Sequence, residues 1–462
     1  MFDKKIYINR RNRLRDKIQN GLVLLLGNPA SPQNCLANHL HYRQDSSFLY
    51  YFGLDFENLE AVLDVDENKD YIFGDDVDIE DIIWMGPQES IREKADKTGV
   101  ENTAPFNQLS DLLKKAIKQK RKIHFLPQYR AENIILLENL LGIHSLQINN
   151  YVSKELIKAV VSMRSVKEQC EIEDLEKFED VAYEMHVTAM KMAKPGIIEQ
   201  KIAGTIEGIG YAYGGLMSFP PIVSIHGETL HNPYHKNILQ KGDMLLTDAG
   251  AESPMRYATD ITRTVPVGGK FSQKQKEIYQ IVLDAQTNTI KISKPNVTYQ
   301  SVHIDAMRVI TEGLKKLGIM KGNTEQAVQQ GAPALFCPHG LGHMIGLDCH
   351  DMESLGEDFV GYDKETKRSN IFGYNALRLG RKLQTNFIMS DEPGIYFIPE
   401  LIDKWKAEKK FTEFINYKKL EDYKNFGGIR IEDDLLVTKT GCRVLGKHIP
   451  KTIKEIEDTM AE

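Results

Sequence analysis

The same pattern of residues occurs twice in the second part of the chain, one hundred positions apart. KMAKPGIIEQKI (191–202) and KISKPNVTYQSV (291–302) align with Lys, Pro and Gln in register. Each segment follows a stretch with helical periodicity, and each Lys-Pro pair predicts the end of that helix. Two unrelated helices that both end in Lys-Pro are the alternative. We favour a duplicated half-domain, in which two similar α/β halves face each other across a shared site.

Matching helix starts support the duplication. Ser165 with Glu168, and Ser272 with Gln275, have the spacing of a capping box, which predicts a helix N-terminus at each serine. The first helix is predicted over 166–193, with a length of about 40 Å. Its apolar residues recur three and four positions apart, which is typical of one buried stripe. These residues are Leu175, Phe178, Ala182, Met185, Ala189 and Met192.

The first third of the chain has a different character. Short apolar runs predict strands, and an amphipathic stretch between them predicts a helix. The predicted strands are 21–27, 61–65, 70–74 and 122–127, and the predicted helix is 108–121. This pattern indicates a mixed α/β domain without a Gly-rich phosphate loop. Because 462 residues exceed what one hydrophobic core usually organises, we predict two domains, 1–160 and 161–462.

Charge and cysteine content exclude several classes of protein. The 59 basic and 65 acidic residues are spread along the chain and give a net charge of −6, so no nucleic-acid or membrane partner is expected. The charged N-terminus does not resemble a signal peptide, and the apolar run 22–26 is too short to span a bilayer. Five scattered cysteines without a CxxC pair favour reduced thiols. We therefore expect a cytoplasmic protein.

Asp248 and Asp260 are the first candidate site residues. Predicted strands at 244–246 and 261–265 place them near the adjacent ends of a hairpin, where both carboxylates can reach one ion. The alternative for Asp248 is a turn former, because aspartate often has that role before Ala-Gly.

Three histidines lie within twelve positions of CPHGLGHMIGLDCHD (337–351). His339 and His343 have the spacing of a helical zinc pair, but the neighbouring Pro and Gly residues disfavour a helix, and the glutamate of an HExxH motif is missing. Partly exposed loop histidines are the alternative.

Two further carboxylates follow predicted strands. Glu392 precedes Pro-Gly in IMSDEPGIY, and Glu432 alternates with apolar residues in GGIRIEDDLLV. A solvated strand face is the alternative for Glu432. Taken together, four carboxylates and one imidazole suit Mn(II), Co(II), Fe(II) or Zn(II). Four negative charges are too many for one catalytic ion, so the set predicts two divalent ions.

With these motifs in this order, the sequence resembles the pita-bread metallopeptidases, specifically their Xaa-Pro aminopeptidase (aminopeptidase P) branch. The resemblance covers nearly the whole chain. It is carried by YRQDSSFLYYFG and WMGPQES in the first domain, and by RSVKEQCEIE, LLTDAGAES, ATDITRTVPV, HGLGHMIGLDCHD, DEPGIY and GIRIEDD in the second. It implies an α/β (α+β) protein, with a creatinase-like N-terminal α/β domain followed by a pseudo-two-fold pita-bread catalytic domain.

The resemblance also implies a role for individual residues. Asp260 and Glu432 match carboxylates that bridge two metals, Asp248 a ligand of one metal, and His343 with Glu392 the ligands of the other. Glu392 also matches a proton shuttle. The remaining implied site residues are His231 and His350, which hold substrate and stabilise the tetrahedral intermediate; His339, which lines the pocket; Tyr396 and Arg430, which support the metals; and Trp84, which lines the substrate pocket.

The implied activity is removal of the N-terminal residue from peptides with proline in the second position, through a hydroxide activated by two divalent ions. Mn(II) is the expected metal, with Zn(II), Co(II) or Fe(II) as alternatives, and a homo-oligomer, a dimer or a tetramer, is expected. Prolidase, the Xaa-Pro dipeptidase of the same fold, is the alternative activity, and a non-catalytic peptide-binding relative is a further one. The stretches 351–391 and 393–431 look longer than in compact members of the family. Their charged inserts, at 364–370 and 400–424, are expected on the surface.

Overall fold

The computed structural model describes all residues from 1 to 462, and the chain forms two compact units. The first unit contains residues 1–164 together with 354–359, and the second contains residues 165–353 and 360–462. The predicted boundary at 160/161 falls inside a helix, Lys154–Arg164.

The first unit is a mixed α/β domain. Its helices are α1 (Lys4–Lys17), α2 (Ser46–Phe52), α3 (Ile79–Met85), α4 (Ile91–Asp96), α5 (Asn107–Lys118), α6 (Ala131–Leu141) and α7 (Lys154–Arg164). Its strands are β1 (Leu22–Leu26), β2 (Pro32–Cys35), β3 (Asn38–His39), β4 (Glu60–Asp64), β5 (Lys69–Phe73), β6 (Asn102–Ala104) and β7 (Ile123–His124). Five strands form one sheet in the order β6-β5-β4-β1-β7, while β2 and β3 pair separately. The predicted strands and helix of this region are confirmed, although the last strand is shorter than predicted.

The second unit contains two halves of similar construction. Its helices are α8 (Gln169–Met192), α9 (Glu199–Ala212), α10 (Gln273–Ile292), α11 (Tyr299–Lys316), α12 (Thr324–Gln330), α14 (Pro399–Ala407), α15 (Tyr417–Leu420) and α16 (Ile453–Ala461). Its strands are β8 (Ile222–Ser224), β9 (Met244–Ala249), β10 (Ile261–Pro266), β11 (Ile388–Asp391), β12 (Gly394–Tyr396), β13 (Gly428–Arg430), β14 (Asp433–Val437) and β15 (Cys442–Val444). The short helix α13 (Glu357–Gly361) begins in segment 354–359 of the first unit and ends in the second.

Each half combines a long helix, a second helix and a three-stranded antiparallel sheet. The first half has α8, α9 and the sheet β10-β9-β8, and the second has α10, α11 and the sheet β11-β14-β15. One apolar core runs through both halves. The predicted duplication and the pita-bread architecture are therefore confirmed.

The start of the first long helix differs from the prediction. The helix begins at Gln169, and its capping box is formed by Glu168 and Glu171, whereas Ser272 and Gln275 form the predicted box of the second helix. The hydroxyl of Ser165 accepts a hydrogen bond from Arg381 instead, at 2.7 Å. The Glu168 N–H, from which Ser165 was expected to accept a hydrogen bond, donates to the Glu171 carboxylate at 2.8 Å, so Ser165 does not cap the helix. The predicted apolar stripe of this helix is buried, apart from a half-buried Met192.

The long insert at 400–424 was expected on the surface, and that expectation is only half right. Its lysines and acidic residues are mostly exposed, but its apolar side chains are not. Ile402, Trp405, Phe414, Ile415, Leu420 and Tyr423 join the main core of the second unit. The segment is amphipathic, so its charge content alone predicted the wrong environment. No helix in the protein is both long and apolar enough to cross a bilayer.

Candidate metal centre

The hairpin of β9 and β10 positions two of the predicted carboxylates. The strands pair antiparallel, and Asp248 lies directly opposite Thr262. Asp260 immediately precedes β10, and both aspartates are buried. A side chain at Gly250 would meet the Thr259 carbonyl at 1.7 Å, so glycine is required for this close approach. Asp248 belongs to the strand itself, and the turn-former alternative is wrong.

Glu432 enters the same region from the second half of the unit. It lies between β13 and β14, where it forms an isolated bridge to Thr262. The Thr262 hydroxyl donates to Glu432 Oε2 at 2.6 Å, and the Glu432 N–H donates to the Thr262 carbonyl at 3.1 Å. Only 2% of Glu432 is exposed. The alternative of a solvated strand face is therefore wrong.

His343 lies on an irregular loop, as its Pro and Gly neighbours predicted. A side chain at Gly342 would meet the Ser390 carbonyl at 2.1 Å, so glycine lets the loop pack against β11. The Nδ1–H of His343 donates to the Met344 carbonyl at 3.1 Å. That bond leaves Nε2 as the free nitrogen, 3.3 Å from Asp260 Oδ2 and 3.7 Å from Glu392 Oε1. A carbonyl that fixes the tautomer in this way is typical of a metal-binding histidine.

Five predicted ligands therefore converge on one place. Donor atoms of Asp260, His343 and Glu432 all lie within 4.8 Å of one another. Asp248 Oδ1 is buried with no hydrogen-bond partner. Burial raises the pKa of Asp248 and of Asp260 to about 6, and burial with the neighbouring carboxylates raises the pKa of Glu392 to about 8. Such a set of buried, mutually repelling carboxylates fits cations, which would compensate its charge.

Arg430, Tyr396 and His339 form a hydrogen-bonded chain beside these carboxylates. Arg430 donates to Asp248 Oδ2 at 2.5 Å and to the Tyr396 hydroxyl at 2.9 Å. The Tyr396 hydroxyl lies 2.8 Å from His339 Nε2, while His339 Nδ1 donates to the Gly340 carbonyl at 2.7 Å. Burial and the Arg430 charge lower the pKa of His339 to about 3, so this ring is neutral. It can therefore accept the tyrosine proton in a hydrogen bond.

The two histidines assigned to substrate lie at the edge of this cluster. The His350 ring is centred 4.2 Å from that of His343, and its Nδ1 faces Glu353 Oε2 at 2.5 Å. About a third of the His350 side chain (32%) is exposed. His231 is exposed in the loop between β8 and β9. Trp84 belongs to the first unit, where it is 79% exposed on α3, and its role at a substrate pocket stays a prediction.

Two residues at this site were not singled out from the sequence. Thr262 follows Asp260 by two positions, so strand periodicity places both on one face, and this signal was available. Cys349 donates its thiol hydrogen to Asp260 Oδ2 at 3.0 Å. No local pattern distinguishes this cysteine from the other four.

Comparison with known proteins agrees with this geometry. Residues 173–439 match metallopeptidase family M24, and residues 7–124 match the N-terminal domain of aminopeptidase P. The chain belongs to metallopeptidase family M24. Membership confirms the predicted family and a peptidase chemistry that uses divalent metal ions, while the identity of the metal stays a prediction.

Solved structures similar to this M24 protein match it over its whole length. Aminopeptidase P from Escherichia coli with the inhibitor Pro-Leu is 27% identical, with a TM-score of 0.81 and coverage of 100% of this chain and 98% of that chain. Proline aminopeptidase P II from Yersinia pestis is 26% identical, with a TM-score of 0.82 and full coverage of both chains.

The curated relatives are named for two different activities, a dipeptidase and an aminopeptidase. Human Xaa-Pro dipeptidase is 31% identical over 98% of this chain and 91% of its own length. A "Probable Xaa-Pro aminopeptidase" of Aspergillus fumigatus is 32% identical over 90% of this chain and 87% of its own length.

Proposed function

We propose that this protein is a metal-dependent Xaa-Pro aminopeptidase. The observation that carries the proposal is the convergence of Asp260, His343 and Glu432 within 4.8 Å, in a chain that aminopeptidase P structures match from end to end. The reaction is hydrolysis of the peptide bond that precedes proline. A peptide with a free N-terminal amine and proline in the second position is the proposed substrate.

We assign the five convergent side chains as ligands of two divalent ions. These are Asp248, Asp260, His343, Glu392 and Glu432. Four carboxylates and one imidazole favour Mn(II) among the candidate metals because oxygen ligands are hard donors. When bound, two such ions would supply Lewis-acid activation of water and of the carbonyl group.

Glu392 is the residue that we assign to proton transfer. Its side chain is 19% exposed, so it reaches the solvent side of the cluster, and its Oε2 lies 3.7 Å from His339 Nδ1. A carboxylate there can take a proton from the attacking water and deliver it to the leaving proline nitrogen. That nitrogen carries no hydrogen in the substrate, so it needs a proton to leave.

His350, His231 and His339 are assigned to the substrate. His350, partly exposed beside His343, is the candidate donor to the developing oxyanion, and His231 holds substrate. His339 is neutral and fixed by Tyr396 and the Gly340 carbonyl, so it forms a rigid wall of the pocket. Arg430 is a supporting residue, because its guanidinium is committed to Asp248, Tyr396 and Thr262.

A dipeptidase is the second candidate, and one side chain favours it. A dipeptide ends in a proline carboxylate, which is costly to bury unless a cation meets it. Arg430 is buried and its charge is already paired with Asp248, so it is poorly placed to meet that carboxylate. Arg378, however, lowers the pKa of Glu392 by its charge, behind the larger effects of burial, Arg430, Asp260 and Asp248. Its side chain is 34% exposed, and its Nε lies 3.5 Å from Glu353 Oε2. A second arginine near the cluster is a candidate partner for a free carboxylate.

Steady-state kinetics with matched substrates test the proposal. Activity lost on chelation should return with Mn(II), and kcat/KM should be higher for Ala-Pro-Ala than for Ala-Pro. Substitution of Arg378 by Met should affect both substrates similarly. A clear preference for Ala-Pro that Arg378→Met selectively abolishes would make the protein a dipeptidase. No hydrolysis of either peptide by the metal-loaded protein would contradict both candidates.

We also propose that the chain works as a homo-oligomer, a dimer or a tetramer, in the cytoplasm. All five cysteines are free thiols, which suits a reducing compartment.

A further inference from the structure

A cavity of about 500 Å³ lies in the second half of the second unit. It is formed by α11, α12 and residues between 369 and 377, and none of the five assigned metal ligands lines it. Its volume is within the range that is typical of binding sites for small organic molecules. The apolar part of its lining consists of Ile304, Val328, Ile371, Tyr374 and Leu377.

His303 lines this cavity as a buried polar side chain without a hydrogen-bond partner. It is 1% exposed, and neither of its ring nitrogens is hydrogen-bonded. The Tyr374 ring packs edge-on against it, with ring centroids 5.2 Å apart, but the Tyr374 hydroxyl donates to the Val328 carbonyl at 2.8 Å instead. Because buried polar groups normally have a partner, His303 points to a ligand group in the cavity.

The charges of the lining restrict the kind of ligand. Arg308 donates to Glu325 Oε1 at 2.5 Å and to Glu325 Oε2 at 3.1 Å, and it also contacts Asp305. These three are the charged residues of the lining, so one negative charge is in excess. Burial lowers the pKa of His303 to about 4, and its imidazole is therefore neutral at pH 7. Both features disfavour an anionic ligand.

A neutral imidazole offers one N–H donor and one nitrogen acceptor. A primary amide also has a donor and an acceptor, so it can pair with either nitrogen of His303. We propose that this cavity binds a small uncharged molecule that combines an apolar ring with a primary amide. The amide bonds to His303, and the ring packs against Ile304, Val328 and Ile371. An ordered water molecule is the alternative partner of His303.

The cavity shares residues with the segment that supports the His339 loop. Tyr374 and Leu377 line the cavity. A side chain at Gly340, the neighbour of His339, would meet Leu377 Cα at 2.5 Å and the Ala376 carbonyl at 3.0 Å, so the two segments are in direct contact. A ligand that shifts Tyr374 or Leu377 would therefore shift the substrate pocket at His339. This consequence rests on the proposed function, but binding of the ligand does not.

Equilibrium dialysis of the Mn(II)-loaded full-length protein against radiolabelled benzamide tests the site. We expect one saturable equivalent per chain. Benzoate, which has a similar shape and a negative charge, should bind at least about tenfold more weakly. His303→Leu should weaken benzamide binding by about tenfold, whereas His303→Gln, which keeps a donor and an acceptor, should retain most of the affinity. Asp260→Ala, at the carboxylate cluster, should bind benzamide as wild type does.

Several outcomes of the dialysis would overturn the proposal. Absence of saturable benzamide binding to wild type would leave ordered water as the partner of His303. Equal affinity for benzoate, undiminished binding to His303→Leu or loss of binding in Asp260→Ala would place the ligand elsewhere.

Hydrolysis of Ala-Pro-Ala at saturating benzamide gives the second readout. KM should change by about fivefold or more in wild type, and the change should be smaller in His303→Leu at the same benzamide concentration. Saturable binding without any change in KM would retain the site but overturn its effect on His339. If the protein hydrolyses no proline peptide, the dialysis alone still tests the site, so this failure is distinguishable from failure of the proposed activity.

Discussion

Thr262 and Glu432 are joined by two hydrogen bonds that run in opposite directions. The Thr262 hydroxyl donates to the Glu432 carboxylate at 2.6 Å, and the Glu432 N–H donates to the Thr262 carbonyl at 3.1 Å. Thr262 belongs to the first half of the second unit and Glu432 to the second half. Because Thr262 also lies opposite Asp248, this single residue aligns carboxylates from both halves.

Substitution of Thr262 by valine should weaken metal binding without unfolding the protein. Valine keeps the branched shape but removes the hydroxyl, which leaves Glu432 Oε2 and Arg430 Nε without this partner. Loss of such an orienting contact typically costs about 10–100-fold in metal affinity or activity. Competition with a chelator measures the affinity. Affinity equal to that of wild type would show that the hydroxyl does not orient Glu432.

Asp260→Ala should lose both activity and metal. Asp260 is assigned to bridge the two ions, so its removal deletes a ligand of each. Elemental analysis should find well under two ions per chain, whereas Asp305→Ala, on the exposed side of α11, should retain two. Two tightly held ions in Asp260→Ala would contradict the bridging assignment.

His350→Ala should separate catalysis from metal binding. His350 is assigned to the oxyanion, and loss of one such donor costs about 10²–10³ in kcat. Metal content should stay at two ions per chain, because none of the five assigned ligands is changed. Loss of an ion, or nearly normal turnover, would count against this role.

The sequence predicted the elements of the site better than the contacts that hold it together. The hairpin of Asp248 and Asp260 and the irregular loop of His343 followed from strand periodicity and from Pro and Gly. The burial of Glu432 did not, because alternation along one strand cannot show that its polar face packs against another half-domain. The capping role of Ser165 failed for a local reason, because Glu168 and Glu171 form a competing capping box, although the partner that Ser165 has instead, Arg381, lies 216 positions away. A local sequence pattern does not show contacts between residues that lie far apart in the chain.

A buried ion pair holds the loop that carries Cys349 and His350. Lys167 Nζ lies 3.0 Å from Asp351 Oδ2, and each side chain is 1% exposed. Lys167→Met should destabilise the second unit by about 3–5 kcal/mol, because it leaves a buried carboxylate without its cation. Chemical denaturation measures this cost. The double variant Lys167→Met/Asp351→Leu should lose much less than the sum of the single variants, and simple additivity would show that the pair is not coupled.

The burial of neutral His303 should cost stability in mild acid, whereas buried carboxyls with a raised pKa, such as Glu60, act in the opposite direction. His303 is 1% exposed on α11, and neither ring nitrogen has a hydrogen-bond partner. Burial lowers its pKa from 6.5 to about 4. Between pH 4 and pH 6.5 the His303 imidazole binds a proton in the unfolded chain but not in the folded protein. The contribution is therefore complete above pH 6.5 and is lost as pH falls toward 4, by about 2 kcal/mol at pH 5 and about 3 kcal/mol in full.

The variant His303→Leu tests this origin. Leucine has no group to protonate, so the unfolding free energy at pH 7.5 minus that at pH 5 should be about 2 kcal/mol lower in this variant than in wild type. Part of the dependence should persist, because burial also lowers the pKa of His186 to about 4. His39→Gln is the control, since that histidine is exposed on β3, and it should leave the difference nearly unchanged. Equal pH dependence in His303→Leu and wild type would mean that folding does not lower the pKa of His303.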